Sequence, residues 1–108
     1  MKGFLDKDIE RLAALWKGEV TFIEKEDRVT TMNVKKRYIV GDGDKNIIID
    51  RVLQSGHGYV SVKGDPEGVT VTATIKPFQE SMMSFNRFVK QLHLVETKLS
   101  TNDVGNNG

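Results

Sequence analysis

Apolar and polar residues alternate without exception along residues 69–76. The apolar positions are Val69, Val71, Ala73 and Ile75, and the polar positions are Thr70, Thr72, Thr74 and Lys76. A repeat of two residues indicates a β-strand that buries one side and exposes the other to water. The sequence therefore predicts a sheet with one apolar face and one polar face, and the polar face is available to a partner.

Two other segments have the spacing of amphipathic helices. The first is predicted over residues 6–17, with Asp6 as its N-cap and Gly18 as the residue that ends it. Its apolar stripe consists of Leu5, Ile9, Leu12 and Trp16. The second is predicted over residues 79–95, directly after Pro77, which cannot donate to a β-ladder. Its stripe consists of Phe78, Met82, Phe85, Val89 and Leu92.

Four further strands are predicted between the two helices, over residues 19–25, 29–40, 46–54 and 59–63. Short polar or glycine-rich segments separate them, and Asp42-Gly43 is typical of a tight hairpin turn. Three successive isoleucines, at positions 47–49, favour a buried strand.

The predicted fold class is therefore α+β, with an N-terminal helix, a five-stranded antiparallel meander and a C-terminal helix. Both helices need an apolar surface, so we expect them to pack on one sheet face and to leave the other open. Residues 1–99 form one domain in this interpretation. Residues 100–108 are polar and lack periodicity, which predicts a disordered tail.

Composition narrows the function only slightly. The chain has no cysteine, which excludes disulfides and thiolate metal sites, and its net charge of +1 gives no overall attraction to nucleic acid or membrane. Acidic residues interrupt the N-terminal segment where a signal peptide would need an apolar run. We therefore expect a cytoplasmic protein with no membrane partner.

No complete catalytic or metal-binding motif is present, so the sequence predicts neither an enzyme nor a metal or cofactor site. His93 and Glu96 have the spacing of a ligand pair but lack the third and fourth ligands of a metal site. His57 lies between two glycines, which would let a small ligand approach the backbone closely, although Gly-His-Gly is also an ordinary turn. A ligand-binding or catalytic site at His57 is one alternative function.

The second helix carries more apolar residues than one buried stripe requires. This surplus favours an interface with a protein partner or a second copy, and the interface residues predicted from it are Met83, Phe88, Val95 and Leu99. The alternative is that the first helix packs beside the second and buries the surplus within the monomer. The main functional hypothesis is therefore a non-enzymatic interaction module, such as a regulatory or inhibitory accessory protein.

Cations and one aromatic residue cluster on the polar face of the predicted sheet. These residues are Lys35, Arg37, Tyr59, Lys63 and Lys76. Single-stranded nucleic acid binds to such faces through base stacking and phosphate neutralisation, which makes nucleic-acid binding a second alternative. Exposed strands are also commonly rich in threonine and lysine for solubility alone.

Overall fold

The computed structural model describes residues 2–107, and the side chains of residues 2–99. It has three helices and four strands in the order α1–β1–β2–α2–β3–β4–α3. Their bounds are α1 Asp6–Trp16, β1 Glu19–Lys25, β2 Arg28–Ile39, α2 Asp42–Leu53, β3 Val60–Asp65, β4 Gly68–Ile75 and α3 Gln79–Asn107.

The strands form one antiparallel sheet with the order β1-β2-β4-β3. The α+β class and the antiparallel sheet predicted from the sequence are confirmed, but the five-stranded meander is wrong. Strand β4 lies between β2 and β3, so β2 and β3 run parallel to each other and α2 connects them. This topology is a β-hairpin followed by a split β-α-β unit.

The segment from Asp42 to Leu53 is a helix, not the predicted turn and strand. Ile48 and Val52 are one helical turn apart and both are buried, so the segment has one core-facing side. Asp42 and Asp44 lie in its first turn, where the positive end of the helix dipole favours carboxylates. The β-propensity of the three isoleucines is therefore overridden by the packing of α2 against the sheet and α3.

The core lies between the helices and one face of the sheet. Met32 pairs with Ile75 and Val34 pairs with Ala73, and all four side chains are buried. The rest of the core consists of Val69 and Val71 of β4, Leu12 and Trp16 of α1, Ile48 and Val52 of α2, and Phe85, Phe88, Val89, Leu92, Val95 and Leu99 of α3. The opposite sheet face carries the threonines of β4.

The ends of the elements differ from prediction by one residue in several places. Leu5, not Asp6, is the N-cap of α1, and α1 ends with Lys17 in the left-handed conformation (φ 56°). Gly18 follows that residue, and a Cβ atom there would approach Trp16 Nε1 to 2.8 Å. Helix α3 continues to Asn107, well beyond the predicted end near residue 95, and so includes residues 100–107, for which the sequence predicts a disordered tail. The side chains of these residues are not described.

Candidate functional site

Strand β1 forms one edge of the sheet: within residues 2–107 it pairs with β2 on one side and with no strand on the other. All of its residues except Val20 are exposed to solvent. Phe22 and Ile23 are each 44% exposed, although both are large apolar residues. A long edge with exposed apolar side chains is a template for pairing with another strand, and most proteins protect such edges.

The exposure of Phe22 follows from where the helical layer ends. Phe22 pairs with Met32, so the two side chains lie on the same face of the sheet. Met32 is completely buried beneath the helices, whereas Phe22 is not. The helices therefore cover the sheet as far as β2 and leave β1 projecting beyond them.

A groove of about 490 Å³ lies beside β3 and β4, away from the β1 edge. The segment from Gly56 to Tyr59, which precedes β3, forms one wall, and the end of β4 and the first turns of α3 form the other. We call this cavity the His57 groove. Its volume is within the range of small-molecule binding sites.

His57 is fixed in the wall of this groove by two hydrogen bonds. Its Nε2 lies 2.8 Å from the carbonyl oxygen of Thr74, which can only accept, so Nε2 carries the proton. Its Nδ1 lies 2.6 Å from Ser84 Oγ. When the ring is neutral, Nδ1 is an acceptor and competes for the one Ser84 hydroxyl proton with the carbonyl oxygen of Ser81, which lies 3.1 Å from the same Oγ. Burial lowers the pKa of His57, which favours this neutral form.

The imidazole of His57 also packs between aromatic rings of the core. Its centroid is 5.9 Å from the ring of Phe85 and 6.0 Å from that of Phe88. With 5% of its surface exposed and both nitrogens engaged, His57 connects the segment before β3 to β4 and α3. This geometry indicates a structural role for His57. A ligand in the groove would therefore be contacted by the neighbouring side chains and not by the imidazole.

Those neighbours include two exposed aromatic rings and two cations. Tyr59 and Phe78 are 63% and 52% exposed. Lys76 and Arg87 also line the groove, and Glu80 is the one carboxylate among its described lining residues. His57, Tyr59 and Lys76 were predicted for two different functions, and the structure brings them together in one cavity.

Three of the four predicted interface residues of the last helix are buried within the chain itself. Phe88, Val95 and Leu99 are 1%, 2% and 5% exposed. Helix α1 packs beside α3, with Trp16 stacked on Phe88, as in the alternative that the sequence left open. Helix α2, which was not predicted, also packs against α3. Met83 is 51% exposed and is the member of the set that could reach a partner.

The cations predicted for nucleic-acid binding do share the open sheet face, but they are not equally available. Arg37 donates two hydrogen bonds to Asp65, at 2.6 and 2.8 Å. This pairing raises the pKa of Arg37 and lowers that of Asp65. Lys76 Nζ donates to Thr31 Oγ1 at 3.0 Å, whereas Lys35 and Lys63 are exposed.

Among the described residues, no group of three or more histidine or acidic side chains is placed to hold a metal ion. His93 Nε2 lies 3.9 Å from Glu96 Oε1, but the other carboxylate oxygen of Glu96 lies 3.1 Å from Lys36 Nζ. Glu96 therefore belongs to an ion-pair cluster. In the described part of the chain, no helix has the length and hydropathy needed to cross a lipid bilayer.

Comparison with known proteins returns nothing that resembles this chain. No protein family, no curated protein and no solved structure matches it. The function must therefore be inferred from the two regions described above, the β1 edge and the His57 groove.

Proposed function

We propose that this chain is a non-enzymatic interaction module whose β1 edge pairs with the β1 edge of a second copy. The observation that supports the proposal is the exposure of Phe22 and Ile23 on an edge strand that the helices do not cover. One of these side chains lies on each face of the sheet, because neighbouring residues of a strand point in opposite directions.

The two charged ends of β1 and its central phenylalanine are complementary to a second copy in the antiparallel direction, although Val20 would lie opposite Glu24. If the two-fold axis passes through Phe22, Glu19 of one copy lies opposite Lys25 of the other, and Phe22 lies opposite its own counterpart. Opposite charges and aromatic pairs directly across two strands each stabilise the pairing by about 0.2–1 kcal/mol. The same register places Thr21 opposite Ile23 on the open face.

This pairing would join two four-stranded sheets into one sheet of eight strands. Both helical layers would lie on the same face, because the axis runs perpendicular to the sheet. The two Phe22 side chains would then meet in the gap between the helical layers. Such an interface is isologous, since the same strand contributes equally from each copy.

Solution mass from light scattering tests the proposal. We expect the wild-type chain to approach twice its mass of 12.1 kDa as its concentration rises. Phe22→Lys should keep the chain monomeric because it puts a charge at the centre of the interface. The matched control is Ile39→Lys, since Ile39 is 66% exposed but lies on β2.

A charge exchange tests the register. Glu19→Lys or Lys25→Glu alone should weaken the dimer because each places like charges opposite one another, and the double variant should restore it. Circular dichroism of each variant verifies that the fold is retained. A wild-type chain that stays monomeric at every accessible concentration would refute self-association, and failure of the double variant to recover would refute this register.

A further inference from the structure

We infer that the His57 groove binds a planar aromatic anion, namely the base and phosphate of a nucleotide, either free or within a single strand. This inference is independent of the β1 proposal, because the groove lies beside β3 and β4 while β1 forms the opposite edge of the sheet.

Tyr59 and Phe78 are the two aromatic rings on which a nucleobase would stack in the groove. Both rings line the groove, and each exposes more than half of its surface. Trp16, Phe85 and Phe88 are almost completely buried in the core, whereas the rings of Tyr59 and Phe78 are accessible to a ligand. Stacking on a nucleobase would remove this apolar surface from water, and it tolerates any base.

The charged side chains of the groove would attract the phosphate of the ligand. Lys76 and Arg87 contribute two positive charges to its lining, against one negative charge from Glu80. Lys76 donates one of its three N–H groups to Thr31, so two N–H groups remain to donate to a ligand. A third cation lies close by, since Lys2 Nζ is 5.9 Å from the ring centroid of Phe78.

The wall of the groove is preorganised for a ligand. His57 holds the segment from Gly56 to Tyr59 against β4 and α3 through Thr74 and Ser84. Gly56 has a φ of 81°, which favours glycine, and no atom lies within 4 Å of the position that a Cβ of Gly58 would occupy. The backbone on this side of the groove is therefore both fixed and accessible.

Titration calorimetry with AMP, inorganic phosphate and a short oligothymidylate tests the inference on the full chain. We expect saturable binding of AMP and much weaker binding of phosphate. Tyr59→Ala and Arg87→Gln should each reduce AMP affinity about tenfold, because each removes one stacking or phosphate contact. If oligothymidylate binds more tightly than AMP and is equally sensitive to both variants, the natural source is a single strand.

Two controls separate the groove from the rest of the surface. Ile39→Ala removes an exposed apolar side chain on β2, and Lys35→Gln removes an exposed cation on the open face. Both should leave AMP affinity unchanged. The inference is overturned if AMP shows no saturable binding, if phosphate binds as tightly as AMP, or if the control variants lose as much affinity as the groove variants.

Discussion

The ammonium nitrogen of Lys36 lies 4.8 Å from the centroid of the Trp16 ring and donates a hydrogen bond to the Trp16 carbonyl oxygen at 3.0 Å. The same nitrogen lies 3.1 Å from a carboxylate oxygen of Glu96, which also accepts the hydroxyl proton of Tyr38. Lys36 is therefore the charged residue on the apolar face of β2, and its three partners explain why the helical layer accommodates it.

Replacing Lys36 with methionine should reduce the free energy of unfolding by about 2 kcal/mol, because Glu96 and the Trp16 carbonyl lose a partner in a partly buried place. Urea denaturation measures the change. Lys35→Met is the matched control, because the side chain of Lys35 is exposed on the other face of β2. This substitution should change the free energy of unfolding by less than about 0.5 kcal/mol. Equal effects of the two substitutions would contradict the assigned role of Lys36.

Phe88 should behave as a core residue. Its ring stacks on Trp16 at 6.1 Å and is 1% exposed, so Phe88→Ala should cost about 3–5 kcal/mol through lost burial and the cavity left behind. Met83→Ala, on the same helix but half exposed, should cost less than about 1 kcal/mol. Thermal unfolding of both variants gives the comparison, and a mild effect of Phe88→Ala would return this residue to the list of interface candidates.

The turn between β1 and β2 can be improved. Glu26 and Asp27 have φ values of 53° and 61°, as a type I′ turn requires, but neither is the residue that this turn favours. Changing the pair to Asn-Gly should raise the free energy of unfolding by about 1 kcal/mol. Glu67→Gly in the other hairpin serves as the control in urea denaturation, because the φ of Glu67 is not positive and glycine there should be neutral or destabilising.

Stability should fall in mild acid because of His57. Its pKa is lowered in the folded chain by burial, so the unfolded chain binds a proton more readily as the pH drops below the ordinary value of 6.5. The contribution of neutral His57 is complete above that pH and is lost as the pH falls through the folded pKa. Lys76, Arg87 and Glu80 are the charged side chains that line the same cavity as His57.

The measurement is the urea midpoint of the wild-type chain between about pH 5 and about pH 7.5. His57→Gln should be less stable throughout, and its midpoint should depend less on pH within this interval. Identical pH dependence in the two proteins would show that other groups cause the acid sensitivity.

Elements with a long periodic pattern could be predicted from the sequence. The alternation along residues 69–76 gave β4 and its buried face, and the apolar stripes gave α1 and the start of α3. Helix α2 could not be predicted, because Ile47, Ile48 and Ile49 favour a strand locally and only tertiary packing selects the helix.

The candidate sites depended on information that local patterns do not carry. An edge strand is defined by strand order, and the insertion of β4 between β2 and β3 is what leaves β1 at an edge. The His57 groove joins a segment before β3 to the start of α3, about 20 residues later in the chain. The one available signal for β1 was the pair Phe22-Ile23, which places an apolar side chain on each face of the strand.

The central position of β4 has a consequence for how the chain acquires its structure. In the described sheet, β4 pairs with both β2 and β3 and joins them, although it is the last of the four strands to be synthesised. A nascent chain that has not reached residue 68 can form the β1–β2 hairpin but not the sheet. Because pairing across such long sequence separations is slow, we expect β4 insertion to limit the folding rate.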